Sequence, residues 1–441
     1  MVPALIIGAP ATGSGKTTLT IALLRALKRR GVAVAPAKIG PDYIDPQFHA
    51  RASGRTSVNL DAWAMRPNLL RALAGGLDSN ANLTLIEGVM GVFDGGQRPG
   101  RTGIGATADV ARMLNVPILL VINCGGIAQS VAPLVHGFRT FDPSVRIAGV
   151  ILNNTSSDRQ RAMLTTALEP LDVPIVGALP RHAEITMPSR HLGLTQAEEL
   201  SDLDARIDTM ADLVEADCDL DALIRLASPP SQSAIDASKV PRLAPLGQRV
   251  AIADDVAFRF AYPHVLSGWR RAGAELSFFS PLANEAPASD CDAVFLPGGY
   301  PELHAERLAA ASTFRTTMRT TANKGVTIYG ECGGYMTLGD AITDADGNSH
   351  PMLGLLKLET SFARRRLHLG YRHVRLTSRA GLRTQNAPDT FFAHEFHYAS
   401  IEREVGEPLF QNLDTGAMCG LTMGRVCGSY MHLIDFAADA Q

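Results

Sequence analysis

Two short stretches of this 441-residue sequence hold the residue types that do chemistry. The first is GAPATGSGKTTLT, residues 8–20, where glycines precede Lys16, Thr17 and Thr18. An apolar run leads into it and a helical pattern leaves it. That is the setting of a phosphate loop, whose backbone amides and helix N-terminus cradle phosphate oxygens. Gly13, Ser14, Gly15, Lys16, Thr17 and Thr18 are the expected ATP contacts, with Lys16 reaching the outer phosphates and the Thr17 hydroxyl binding Mg²⁺. The strict pattern wants glycine at position 10, where this chain has Pro10. A glycine-rich turn with an exposed lysine is the bland alternative, and the strand–loop–helix setting disfavours it.

The second stretch is IYGECGGYMTLGD, residues 328–340, in which Cys332 ends an apolar run and two glycines follow. A sharp strand-to-helix turn there would expose the sulfur and offer the Gly333 amide as an oxyanion donor. A thiol nucleophile needs a base, which in a folded chain can lie far off in sequence. His432, in CGSYMHLIDF, follows an apolar run and is the expected base at another strand end. Gly299, in FLPGGYPE, is the expected second oxyanion donor. Taken alone, Cys332 reads almost as well as a small core residue.

Acidic residues collect at the ends of other apolar runs, where ligands sit in an open α/β sheet. KIGPDYIDPQFH (38–49) offers Lys38, Asp42, Asp45 and His49 on a proline-stiffened loop, and LIEGVMGVFDG (85–95) offers Glu87 and Asp94. A carboxylate opposite the phosphate loop can hold a metal, so Thr17, Glu87 and Asp45 are the metal candidates. GVILNN (149–154) places Asn153 where an amide could read the base of ATP.

These groups need a scaffold. Apolar runs at 3–8, 32–37, 83–87, 117–122, 147–152 and 174–178 alternate with helical patterns such as 15–30 and 105–114. Uniformly apolar strands alternating with helices predict a parallel sheet covered on both faces. Residues 227–247 are rich in Pro, Ser and Ala without an apolar period, which reads as a linker. The alternation restarts at 248–255 and continues at 275–279, 293–297 and 325–329. The expected organisation is therefore an α/β synthetase domain over 1–226, a linker over 227–247 and a second α/β domain over 248–441.

Composition narrows the classes further. A formal net charge of −3 argues against a general nucleic-acid binder. No run of 18 apolar residues predicts a membrane span. The N-terminus, MVPALIIGAP, goes directly into a strand with no leader pattern, so the expected location is cytoplasmic. The six cysteines form no CxxC pair, against a structural zinc site or a disulfide framework.

Together, LPGGYPE, YGECGGYM and GSYMHL resemble the class I glutamine amidotransferase domain, a flavodoxin-like α/β fold, of the cobyrinic acid a,c-diamide synthase family. GSGKTT, KIGPDYIDP and EGVMGVFDG resemble the ATP-binding half of the same family, which is related to dethiobiotin synthetase. The resemblance covers nearly the whole chain in the same order. It implies an ATP-dependent, glutamine-hydrolysing ligase of cobalamin biosynthesis that amidates the a and c acetates of a corrinoid through acyl phosphates. Cobyrinic and hydrogenobyrinic acid are both open as substrate, with hydrogenobyrinic acid preferred. Cys332 and His432 would release ammonia from glutamine, which would reach the ATP site by a shielded path. Lys16 and Thr17 would serve the phosphates and Mg²⁺, and Glu87 the metal. Lys38, Asp42, Tyr43, Asp45 and Asp94 would face the corrinoid. A homodimer is left open as the assembly.

One departure matters. Many class I amidotransferases carry a glutamate two residues after the histidine, and here Ile434 stands there, with Asp435 next. A backbone carbonyl or Asp435 is then expected to orient His432. Glu331, adjacent to Cys332 in an extended run, is expected on the opposite face. Cobyric acid synthase and nickel-sirohydrochlorin a,c-diamide synthase are rival enzymes. A ParA/MinD-like ATP switch with an inert second domain is a rival of another class, weakened by Ala9, Pro10 and Ala11 where those switches carry an extra lysine. An ammonia-only ligase is the remaining alternative.

Overall fold

The computed structural model describes residues 2–77, 80–181, 189–190, 193–194, 196–230, 235–377, 382 and 388–437. It divides into two compact units, Met1–Val240 and Pro241–Gln441. Within the expected linker, residues 231–234 lie outside the described set. Ser228 is bridged to Ala4, and Ala237–Lys239 form one short 3-10 turn.

In the first unit, β1 (Ala4–Gly8), β2 (Val34–Ile39), β3 (Val58–Leu60), β4 (Leu83–Glu87), β5 (Ile118–Asn123), β6 (Ile147–Thr155) and β7 (Ile175–Pro180) build one sheet. Its order is β3-β2-β4-β1-β5-β6-β7 and every pair is parallel. Strands such as ALIIG and LTLIE are buried along their whole length, which explains their unbroken apolar character. Helices α1 (Lys16–Arg29), α2 (Asp45–Ser53), α3 (Pro67–Gly75), α4 (Thr107–Leu114), α5 (Val131–Thr140) and α6 (Asp158–Leu168) connect the strands. Beyond β7 come a short hairpin, β8 (Ser189–Arg190) with β9 (Gly193–Leu194), and helices α7 (Leu203–Asp217) and α8 (Leu220–Leu226).

The parallel register positions the chemistry. Glu87, the last residue of β4, pairs with Ile7 of β1 on one side and with Lys38 of β2 on the other. Two sequence expectations shift here. The second strand runs to Ile39 rather than ending at 37, so Lys38 belongs to the sheet and not to a loop. Asp45 and His49 belong to α2, four residues apart on one helical face.

The second unit opens in the same manner. β10 (Arg249–Ala253), α9 (Pro263–Arg271), β11 (Glu275–Phe279), β12 (Ala293–Leu296), α10 (Ala305–Ala310), α11 (Ser312–Asn323), β13 (Thr327–Glu331) and α12 (Gly333–Leu338) follow in order. Then come β14 (Ala341–Thr343), β15 (Ser349–Pro351), β16 (Leu358–Ser361), β17 (His368–Leu376), β18 (Thr390–His397) and β19 (Ser400–Glu404). β20 (Glu407–Asn412), β21 (Met418–Met423), β22 (Val426–Ser429) and β23 (Met431–Phe436) complete it. The main sheet has the order β11-β10-β12-β13-β22-β21-β20-β17-β18-β23, and β15-β14-β16-β19 form a smaller one.

The main sheet is parallel from β11 to β22 and antiparallel from there to β23. It is thus a mixed sheet, and simple α/β alternation describes only half of it. Among the described residues, no helix is long and apolar enough to cross a membrane.

Candidate functional sites

The glycine-rich loop lies between β1 and α1, the strand–loop–helix setting expected of it. Gly15 sits at φ 93°, where a side chain would be strained and a Cβ would fall 2.3 Å from the Asn153 amide nitrogen. α1 begins at once with Lys16. The Ser14 hydroxyl donates to the Ala11 carbonyl at 2.8 Å, Gly13 is at φ 81°, and Thr18 lies in the first turn of the helix. Asn153 donates its side-chain amide to the Ser14 carbonyl at 3.0 Å, so it braces the loop itself. Lys16 reaches across to the Met90 carbonyl at 2.5 Å, and burial lowers its pKa. Met90 is one of the few non-glycine residues at positive φ, which turns its carbonyl toward the lysine.

Behind the loop lies a buried charge network. The Thr17 hydroxyl donates to Glu87 Oε1 at 2.6 Å and lies 3.4 Å from Asp45 Oδ2. The Lys38 ammonium bridges those carboxylates, 2.6 Å from Asp45 and 2.9 Å from Glu87. His49 Nε2 donates to Glu87 Oε2 at 2.6 Å while its Nδ1 faces the Ser57 hydroxyl at 3.3 Å. Burial opposes charge on Lys38, Asp45 and Glu87. Even so, Asp45 and Glu87 hold the Lys38 ammonium above its ordinary pKa, and Lys38 and His49 hold the Glu87 carboxyl far below its own. Burial and neighbouring Asp42 push Asp45 up to about 7, so Glu87 is the firm anion of the pair.

Two carboxylates and a hydroxyl, all hard oxygen donors gathered round one buried cation, are a donor set that suits Mg²⁺. The other expected contacts are more local. Asp42 Oδ1 accepts the amides of Ile44 and Asp45 at 2.7 and 3.0 Å, capping α2. The exposed Asp94 accepts the Gly91 amide on Oδ2 at 2.9 Å, next to the buried Val92, and the Tyr43 ring is buried.

In the second unit Cys332 follows β13 at φ 48°, ψ −105°, a strained conformation for a residue with a side chain. Its amide donates to the Ser429 carbonyl at 2.8 Å, and α12 starts immediately after it. Burial pushes the thiol up to about 12, while backbone hydrogen bonds from Gly333 and Gly299 act in the opposite sense. A Cβ placed on Gly333 would lie 2.9 Å from the Gly299 nitrogen, so the two amides stand side by side at the sulfur.

Gly298 marks the meeting point with the histidine. A Cβ there would come within 2.3 Å of His432 Cε1, 3.1 Å of His432 Nε2 and 3.2 Å of Cys332 Cβ. Cys332 and the Nε2 edge of His432 therefore close on one spot. His432 is the second residue of β23 and not the end of a strand, because the chain breaks at Tyr430 between β22 and β23. It pairs across the ladder with His394, whose pKa falls to about 3 through burial and then through His432 itself.

The expectation for Glu331 is overturned. Its Oε2 lies 3.6 Å from His432 Nδ1, and its Oε1 accepts the Leu433 amide and the Tyr329 hydroxyl, each at 3.1 Å. Alternation fails because the chain leaves extended geometry at Cys332. The other groups expected to orient His432 make contacts of their own. The Ile434 carbonyl accepts His264 Nε2 at 2.9 Å, and Asp435 Oδ1 accepts the Phe436 amide at 2.9 Å. Position 331 stood next to the cysteine in the sequence, but nothing in its spacing tied it to residue 432.

A cavity of about 370 Å³ adjoins this site, with Arg366, Glu395, Glu404 and Tyr430 in its wall. Cys332 Sγ lies 3.8 Å from the carbonyl of Phe396, the residue between Glu395 and His397 of that wall. His368, Glu395 and His397 bring ligand atoms within 4.8 Å of one another there. The two imidazoles are stacked, 4° from parallel with centroids 4.6 Å apart, and Glu395 is paired with Arg372 at 2.6 Å. Lone pairs in separate parallel planes do not converge on one ion, so this is a stacked, ion-paired cluster. All six cysteines are free.

Comparison with known proteins agrees with both halves. Residues 5–194 match the CobQ/CobB/MinD/ParA nucleotide binding domain, and residues 249–440 match the CobB/CobQ-like glutamine amidotransferase domain. A hydrogenobyrinate a,c-diamide synthase of Brucella anthropi is 53% identical, the alignment covering 98% of this chain and 99% of that one. Its counterpart from Brucella abortus is 54% identical over 99% of each chain. One from a Sinorhizobium species is 51% identical over 99% of each. With both domains matched and the identity running end to end, the chain belongs to the hydrogenobyrinate a,c-diamide synthase family.

Proposed function

We propose that this chain converts the a and c acetate side chains of hydrogenobyrinic acid to amides in cobalamin biosynthesis, in the cytoplasm, using ATP and the amide nitrogen of glutamine. The observation that carries the reading is the pairing, in one chain, of a phosphate loop with a buried carboxylate network and a strained cysteine beside a histidine.

In the first unit, Gly13, Ser14, Gly15, Lys16, Thr17 and Thr18 hold the triphosphate, with Asn153 bracing the loop. Thr17, Glu87 and Asp45 would hold Mg²⁺, which supplies charge neutralisation of the phosphates. Lys38 meanwhile holds the two carboxylates together. A substrate carboxylate oxygen attacks the γ-phosphorus and ADP departs, leaving an acyl phosphate. Ammonia then attacks the acyl carbon, phosphate leaves, and a proton is lost to solvent. Activation is required because a carboxylate is a poor electrophile. Tyr43, Asp42 and Asp94 line the substrate side, Asp42 acting through the cap it places on α2.

In the second unit His432 takes the proton of Cys332, and the thiolate attacks the side-chain amide carbon of glutamine. The amides of Gly299 and Gly333 receive the developing oxyanion. Collapse expels ammonia with the proton returned by His432, and water then releases glutamate from the thioester. The cavity beside the cysteine, walled by Arg366 and by Glu395 and Glu404, suits the charged head of an amino acid.

Mass spectrometry of product formed from ATP, Mg²⁺, glutamine and either hydrogenobyrinic or cobyrinic acid tests this reading. The expected result is two hydroxyl-to-amino replacements on hydrogenobyrinic acid. Preference for cobyrinic acid would change the substrate, and no amidation of either would overturn the function.

A further inference from the structure

We propose that Glu331 is the acid that orients His432, so that the glutaminase centre is a Cys332–His432–Glu331 triad whose acid comes from the strand of the nucleophile. The proposal rests on the reading of Cys332 as nucleophile and His432 as base.

The position two residues after the histidine is closed to this role. Ile434 stands there, buried, with its carbonyl engaged by His264. Glu331 ends β13, and its register partner across the parallel ladder is Ser429 of β22. The chain turns at Tyr430 and enters β23, which brings His432 back beside the end of β13. On the other side of Glu331, the strained turn at Cys332 leaves its Cβ beside the same imidazole, across Gly298. Two adjacent residues thus reach one ring from two sides, Glu331 at Nδ1 and Cys332 at the Nε2 edge.

The carboxylate is also held for the task. Oε1 is fixed by the Leu433 amide and the Tyr329 hydroxyl, which leaves Oε2 directed at Nδ1. The separation of 3.6 Å is an ion-pair distance, and such contacts tighten when the imidazolium forms. An acid at Nδ1 keeps the proton on that nitrogen and presents Nε2 as acceptor for the thiol. It also balances the imidazolium inside a fully buried site, where an uncompensated charge is costly. Glu331 touches neither sulfur nor glutamine in this scheme, so it is a positioning residue.

The test is Glu331→Gln, which keeps an acceptor for Leu433 and Tyr329 but removes the charge. Glutaminase kcat is expected to fall on the order of 10²- to 10³-fold. The KM for glutamine should stay within about threefold, which reports an intact pocket, and synthesis from ammonium chloride should be unchanged. Asp435→Asn, run beside it, should leave glutaminase kcat within about threefold. Retention of kcat in Glu331→Gln, or a rise in KM with kcat unchanged, would overturn the triad. A fall in the ammonium-driven reaction would do the same, by making the residue a structural one. These results leave the reading of Cys332 as nucleophile untouched, because that reading is tested separately by whether Cys332→Ser still uses glutamine.

Discussion

The two candidate sites handle buried charge in opposite ways. In the first unit a lysine, a histidine, a threonine and two carboxylates hold one another within hydrogen-bond distance, so cation and anions cancel. In the second unit burial pushes the Cys332 thiol up to about 12, and His432, the proposed base, stands beside it. The first site is a preassembled electrostatic cradle suited to phosphate and metal. The second stores its reactivity in a strained turn and an aligned imidazole. On the proposed reading, the first site does phosphoryl chemistry, which asks mainly for charge in the right place. The second then does acyl transfer, which asks for a nucleophile made at the moment of use.

Substitutions can break this contrast, and the largest effects should fall on the cradle. Lys16→Ala should reduce ATP-dependent amidation by at least about 10³-fold with glutamine or ammonium alike, while uncoupled glutaminase turnover survives. Steady-state assays with each nitrogen source decide this; a loss confined to glutamine would mean the sites are not separable. Glu87→Gln should cost about 10²-fold or more in the same assay. It should also lower stability by about 3 kcal/mol, because Lys38 and His49 lose their shared anion, as urea denaturation would show.

On the glutaminase side, Gly298→Ala places a methyl against the His432 ring, and a 1 Å displacement there should lower glutaminase kcat by about 10²-fold. Ammonium-driven synthesis should be unchanged. At the small end, Asp204 meets Arg25 at 2.9 Å and also pairs with the half-exposed Arg51, in a network that joins α7 to α1 and α2. Asp204→Asn should shift stability by less than about 1 kcal/mol in thermal unfolding, and neither activity should respond.

The same contrast governs what could be read from the sequence. The phosphate loop was legible because its groups occupy one window between a strand and a helix, and Glu87 because it ends a wholly apolar run. The apolar pattern marks strand ends only to within a couple of residues, so Lys38 reads as loop although it lies in β2. Asp45 and His49 read as part of a proline-stiffened loop, whereas Pro46 stands in the first turn of α2, where proline is well tolerated. The antiparallel half of the second sheet gave no signal of its own. Strands such as TFFAHEFH mix aromatic, histidine and acidic residues, and the buried positions follow pairings set by distant strands.

The link between Glu331 and His432 was hidden for a sharper reason. Period-two alternation sends neighbours to opposite faces, and it holds only while the chain stays extended. At Cys332 φ turns positive, and the rule that would have hidden the acid from the site no longer applies. What remained legible was the family of motifs; what did not was the contact that a single strained residue creates.

The central claim is that one chain makes ammonia at Cys332 and consumes it in ATP-dependent amidation. Isotope tracing tests it most directly, with glutamine labelled at the amide nitrogen, ATP, Mg²⁺ and hydrogenobyrinic acid, comparing the unaltered protein with Cys332→Ser. The account predicts label at both new amides for the former. For Cys332→Ser it predicts no label from glutamine and undiminished label from ammonium. Label transfer from glutamine in the Cys332→Ser protein, or failure of ammonium to restore amidation, would contradict it.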